Sequence, residues 1–158
     1  MKRLIFITVL ILFINGCSKE VKLQLFETKD QAIKQYIEEQ NVMESFLELD
    51  LVTNETIVLI KQEREIYSLA ELANSKDNKY SFSRISAWVD IGNTTGAMWE
   101  FKTNTDNVYT LKISKKQEDP DSIYNNDFDI YISIVNGKRT YNDYNVRNII
   151  TSTKLIDI

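Results

Sequence analysis

From Ser45 to the C-terminus the apolar residues fall mainly at every second position, and this period narrows the possible folds more than anything else in the chain. Leu47, Leu49 and Leu51 alternate with Glu48, Asp50 and Val52. Successive side chains of a strand point to opposite faces, so the pattern predicts β-strands with one face covered. After Thr53-Asn54-Glu55, the run Thr56–Ile60 is continuously β-branched or aliphatic and suits a strand covered on both faces. These two runs read as a hairpin. Ile66–Ala73 is ambiguous because Leu69–Ala73 are good helix formers. It is assigned as a strand, paired across Lys76–Lys79 with Tyr80–Ile85. Further strands are expected at Ala87–Ile91, Met98–Thr103, Val108–Lys115, Phe128–Val135, Thr140–Asp143 and Ile149–Ile156.

Turn chemistry separates the strands. Asn136-Gly137 is the strongest signal, because a two-residue hairpin turn needs positive φ at both positions and Asn and Gly reach it at least cost. Gly92–Gly96 and Asn104–Asn107 are the other clear connections. A single proline, Pro120, leaves little to interrupt long strands.

One helix precedes the strands. Thr28 and Gln31 have the spacing of a capping box, and Asp30 suits the positive end of a helix dipole. Ala32, Ile33, Tyr36 and Ile37 then recur at helical spacing to about Gln40, with Lys29, Lys34, Gln35, Glu38 and Glu39 between them. Such a stripe belongs to a helix covering its own sheet, or alternatively to one that docks on a partner. The fold expected is α+β: one N-terminal amphipathic helix packed on a mostly antiparallel β meander, folded into a sandwich or half-barrel.

The N-terminal segment predicts location. Lys2 and Arg3 precede an apolar run from Leu4 to Ile14, too short to span a bilayer stably and of the length used in export signals. It ends at Gly16-Cys17, which holds the only cysteine in the chain. Ile14-Asn15-Gly16-Cys17 resembles the lipobox of bacterial lipoproteins. The resemblance implies cleavage after residue 16 and a diacylglycerol on the Cys17 thiol. Each buried methylene contributes about 0.8 kcal/mol, so two acyl chains hold what one holds only reversibly. An ordinary secretory signal with an incidental cysteine is the competing reading. The implied organisation is a signal peptide over 1–16, a lipidated N-terminus and short tether over 17–22, and a single domain over 23–158. That domain would lie within roughly 20 Å of the outer face of the cell membrane.

With one cysteine no intrachain disulfide is available, and stability must come from a packed core. The chain carries a net charge of −4, and loss of Lys2 and Arg3 would make the body more acidic still. Nucleic acid and anionic headgroups are therefore poor partners for it. The partners expected are the membrane, through the anchor, and an envelope protein or polymer.

The sequence excludes several chemistries. There is no histidine, so Ser-His-Asp and Cys-His triads and His-containing metal sites are ruled out. No G-x-S-x-G, G-x-G-x-x-G, Walker or S-x-x-K motif occurs. Acylation would consume the thiol, leaving the lipid as the only group expected on the chain. With 23 acidic residues, some carboxylate pair will fall at catalytic spacing by chance, which makes spacing alone uninformative. Glu63 and Glu65 flank Arg64 in a turn and read as solvated charges. Glu100 lies between Trp99 and Phe101, although strand alternation points it away from both.

Three groups of residues are candidate binding sites. Asp119, Asp121, Asp127 and Asp129, with Glu118, Asn125 and Asn126, offer hard oxygen ligands of the kind calcium takes. Their spacing is not that of an EF-hand, and an irregular solvated loop is the competing account. Trp88 and Trp99 flank Gly92–Gly96, so hairpin pairing would bring them to one end of a sheet near Tyr80 or Phe101. Exposed, they would form a platform for a sugar or peptide; buried, they would be core. Tyr141 and Tyr144, beside Arg139 and Arg147, offer a second recognition surface or a cover for a sheet edge.

Over its whole length the chain is similar to small, uncharacterised lipoproteins of Gram-positive, Bacillus-like bacteria. The signal with Cys17, the Thr28–Ile33 helix start, the Asn54–Ile60 strand and the Asp77–Tyr80 turn carry the resemblance. It implies no catalytic residue or ligand. Two functions follow as expectations. The first is a non-enzymatic, membrane-tethered binding domain engaging a protein or envelope polymer. The second is a cell-wall-directed enzyme or inhibitor that uses a carboxylate as acid or base. An acid pair in a concave cleft, one member with a raised pKa, would favour the second. A flat surface with an exposed aromatic patch would favour the first.

Overall fold

A computed structural model describes residues 23–40, 44–140, 143 and 146–157. Cys17, the leader and the tether lie outside the described residues, as do Tyr141 and Tyr144. Among the described residues the chain is mostly antiparallel β, in two sheets, with one short helix, and is α+β in class. The helix α1 spans Lys29–Gln40, and the strands are β1 (Ser45–Leu51), β2 (Thr56–Gln62), β3 (Ile66–Asn74), β4 (Tyr80–Arg84), β5 (Val89–Asp90), β6 (Gly96–Lys102), β7 (Val108–Ser114), β8 (Ile123–Asn125), β9 (Ile130–Asn136) and β10 (Ile150–Ile156). Among the described residues no helix is long and apolar enough to cross a membrane.

The first sheet runs β10-β1-β2-β3-β4, with β5 paired to the start of β3; the second runs β6-β7-β9-β8. Alternation assigns the faces. Leu47, Leu49, Ile57, Leu59, Tyr67 and Leu69 of the first sheet join Leu111, Ile113, Ile130, Ile132 and Ile134 of the second in one buried apolar cluster. On the opposite face of the first sheet, Phe46, Val58, Ile60, Ala70 and Leu72 pack with Tyr36 of α1. The Tyr36 and Phe82 rings meet edge to face with centroids 5.0 Å apart. The first sheet is thus covered by sheet on one side and helix on the other.

This double cover explains β3. Leu69–Ala73 has helical propensity, yet Tyr67 to Leu72 are all buried with both faces packed, and tertiary packing overrides local preference. At the start of α1 the Gln31 N–H donates to Thr28 Oγ1 at 3.2 Å, which is the Thr28 half of the expected capping box.

Four sequence expectations are corrected. Gly92–Gly96 does not join a hairpin: β5 pairs with β3 and β6 with β7, so the segment carries the chain from one sheet to the other. Asn136-Gly137 is not a two-residue hairpin either. Only Gly137 has positive φ (71°), and its N–H donates to Val108 O at 2.7 Å where the chain leaves the second sheet. Thr140 and Asp143 belong to no strand; Thr140 N–H instead donates to the Asp143 carboxylate at 2.7 Å. The short strand β8 lies within the segment expected to be an irregular acidic loop, and pairs with β9 through Ile123↔Ile132.

Candidate functional site

The two tryptophans do not share a surface. Trp88 follows β4 and packs on the helix side of the first sheet, under the Arg84 guanidinium at 5.3 Å from its ring. Trp99 packs against the cluster between the sheets, on β6. The first sheet lies between these layers, so no aromatic platform forms from the pair. Glu100 points outward, as alternation requires, and pairs with Lys138 at 3.1 Å. Glu65 meets Lys115 at 2.7 Å, whereas Glu63 is exposed.

The four aspartates of the acidic loop are also dispersed. Asp119 is buried on the outer face of the second sheet, where Arg139 Nη1 and Nη2 donate to its two oxygens at 2.8 and 2.6 Å. Ser133 Oγ donates to it at 2.9 Å, and Lys112 lies 3.3 Å away. The Arg139 hydrogen bonds outweigh burial and hold the Asp119 carboxyl at about 2. A carboxylate so engaged is a clamp for the loops around it and has little left for a metal. Asp121 accepts the Asn148 N–H at 2.6 Å, Asp129 accepts Tyr124 OH at 2.6 Å, and Asp127 is exposed in the β8–β9 turn. Among the described residues no group of three or more His, Cys, Asp or Glu is placed to hold a metal ion. Arg139 is spent on the clamp and does not present a recognition surface; Arg147 is exposed.

A different pair of acids lines a cleft. β2 pairs with β3 only as far as Ile57↔Glu71, while β3 continues beside β4 to Asn74↔Tyr80. Where the strands part, a cleft of about 370 Å³ opens, walled by the β1–β2 turn, the end of β3, Tyr80 and Lys29. Glu71 is 3% exposed and sits at the last paired position. It lies on the same face of β3 as Tyr67 and Leu69, and its Oε2 accepts the Asn104 N–H at 2.7 Å. Burial raises its carboxyl pKa; the Asn104 N–H opposes that rise and the nearby Glu55 charge adds to it.

Glu55 behaves oppositely. Burial alone would raise its pKa, but hydrogen bonds from Tyr109, Thr105, Asn107 and Thr103 prevail and hold it at about 2. Thr103 and Thr105 hydroxyls donate to Oε1 at 2.8 and 2.7 Å, and Tyr109 OH and Thr53 Oγ1 donate to Oε2. This carboxylate ties the β1–β2 turn to the β6–β7 turn across the two sheets. One signal for the site was present in the sequence: with Ile66–Ala73 taken as a strand, Glu71 falls on its core face, where an acid is out of place.

No family model matches the chain, and no curated protein or solved structure is detectably similar to it.

Proposed function

We propose that the chain is an extracytoplasmic lipoprotein, anchored through Cys17, whose folded body is a non-enzymatic binding domain with the Glu71 cleft as its ligand site. The observation that carries the binding reading is the saturation of Glu55. Acid–base or nucleophilic catalysis by a carboxylate pair needs the ionised member free to reach substrate. Here its oxygens accept hydrogen bonds from Tyr109, Thr53, Thr103, Thr105 and Asn107. What the cleft offers is a buried acceptor, side-chain hydroxyls and amides, and strand backbone, which are the means of recognition.

A second reading is favoured by a specific observation: in one cleft the Glu71 carboxyl is raised and the Glu55 carboxyl depressed, the division of labour seen in acid–base pairs. On that reading the chain is a cell-wall-directed enzyme or inhibitor.

Photo-crosslinking in cells separates them. A photoreactive residue at Asn74, on the exposed rim of the cleft, is expected to capture an envelope component that the same residue at Val52 does not. Equal capture at both positions would remove the cleft from the proposal. Breakdown of purified wall polymer by the wild-type chain, lost in Glu71→Gln, would establish the enzyme instead. Anchoring is tested separately: Cys17→Ala should move the protein out of the membrane fraction, and retention of a processed mutant there would refute it.

A further inference from the structure

We infer that the cleft between β2 and β3 takes a small hydroxylated ligand bearing a primary ammonium group, an amino sugar free or at a polymer end, with Glu71 as its anchor. This rests on the binding reading above and adds the chemical class of the ligand.

Charge selects the ligand first. Two carboxyl groups, Glu55 and Glu71, line the cleft. The one cation on its wall among the described residues, Lys29, is engaged by Glu48 at 2.8 Å. A phosphate or carboxylate entering there would meet uncompensated negative charge, whereas an ammonium would relieve the repulsion between the two acids. Glu55 has no acceptor capacity to spare, which leaves Glu71. Among the described residues Glu71 accepts a hydrogen bond only at Oε2, from the Asn104 N–H, and its other oxygen accepts none. A buried carboxylate accepting from a charged donor makes the strong class of hydrogen bond.

The remaining surfaces determine the rest of the ligand. Beyond Glu71 the β2-side backbone of Leu72–Asn74 has no strand partner. Thr56, Thr105 and Asn54 add hydroxyl and amide groups, and Tyr80 supplies the aromatic surface on the wall. Hydroxyls around a ring satisfy such a set, and the volume of about 370 Å³ accommodates one sugar ring. A bare metal ion does not suit it, because the described residues place no third His, Cys, Asp or Glu beside the two acids.

The test titrates the full-length lipidated protein in detergent micelles with glucosamine, N-acetylglucosamine and a glucosamine oligomer, following the backbone amides of Asn104 and Thr105. Glucosamine should shift both amides saturably and bind at least tenfold more tightly than N-acetylglucosamine, whose acetylated nitrogen carries no charge. Glu71→Gln should weaken glucosamine binding at least tenfold. Tighter binding of the oligomer than of the monomer would place the ligand at a polymer end, and equal binding would make it the free sugar. Equal affinity for the amine and its acetylated form in the wild-type protein overturns the ammonium assignment and leaves the cleft as a binding site. That comparison requires no variant to fold. If no probe shifts either amide, the ligand class is wrong, and the crosslink at Asn74 then decides independently whether the cleft binds anything.

Discussion

Asp119 and Arg139 form a two-bonded ion pair beneath the loops on the outer face of the second sheet, with Arg139 Nη1 and Nη2 at 2.8 and 2.6 Å from the two carboxylate oxygens. Their side chains are 9% and 3% exposed. The pair joins the segment after β7 to the segment after β9, and Lys112 and Ser133 complete the ring of donors. Polar side chains thereby fill a face that, on a solvated sheet, would be open to water.

Breaking this pair one-sidedly leaves a charge buried without its partner. Arg139→Ala is expected to cost about 3–5 kcal/mol in urea unfolding. The double variant Asp119→Leu/Arg139→Met should lose clearly less than Arg139→Ala, because no charge is stranded and Lys112 keeps Glu118 at 2.9 Å. An equal loss in both would mean that the pair contributes net stability beyond avoiding an orphaned charge.

Acid sensitivity follows from the same chemistry. Asp119 and Glu55 both have folded-state pKa values of about 2, below their ordinary values of 3.8 and 4.5. Their contribution is fully present above those ordinary values and disappears as pH falls through the folded values. Unfolding followed from pH 6 down to about pH 2 should therefore show a steep acid limb, flattened in Glu55→Gln. A limb of unchanged slope in that variant would contradict the assignment of Glu55.

Glu71 has the opposite sign. A carboxyl with a raised folded pKa binds its proton more tightly in the native state, so stability is lost as pH rises from the ordinary carboxyl value through the folded one. Glu71→Gln, which keeps an acceptor for the Asn104 N–H, should raise the melting temperature at pH 7 and lose that advantage below about pH 4. A fall in melting temperature at pH 7 would count against the burial argument.

Gly96 opens β6 opposite Ser114, and a Cβ there would lie 2.3 Å from the Ile113 carbonyl oxygen. The clash is with backbone, so a side chain cannot swing aside. Gly96→Ala is expected to destabilise by about 1–3 kcal/mol, the range of overpacked sites. Gly92→Ala, whose nearest neighbours are at 3.2 and 3.3 Å, should cost less. Paired thermal melts of the two variants test the order.

Much of the β architecture is legible in the residues, and what is not has a common cause. The β1–β2 hairpin, the pairing of Ile66–Ala73 with Tyr80 onward and the outward face of Glu100 all follow from alternation and turn preference between close neighbours. Gly92–Gly96 has the composition of a hairpin turn but crosses between sheets, because β5 and β6 each find a better partner elsewhere. Asp119 belongs to a run that reads as a solvated acidic loop. Its partner Arg139 lies beyond β8 and β9, and nothing in the loop itself announces it.

By itself, the sequence established the class of strands, most of their bounds, the helix start at Thr28 and the exclusion of histidine chemistry, since each depends on residue type and local spacing. The tertiary structure decided which strands share a sheet, that Trp88 and Trp99 occupy different layers, and that Glu71 lies in one cleft with Glu55. Those outcomes turn on which apolar faces stack and where a strand outruns its neighbour. Such long-range packing is set by the chain as a whole, and no local pattern encodes it.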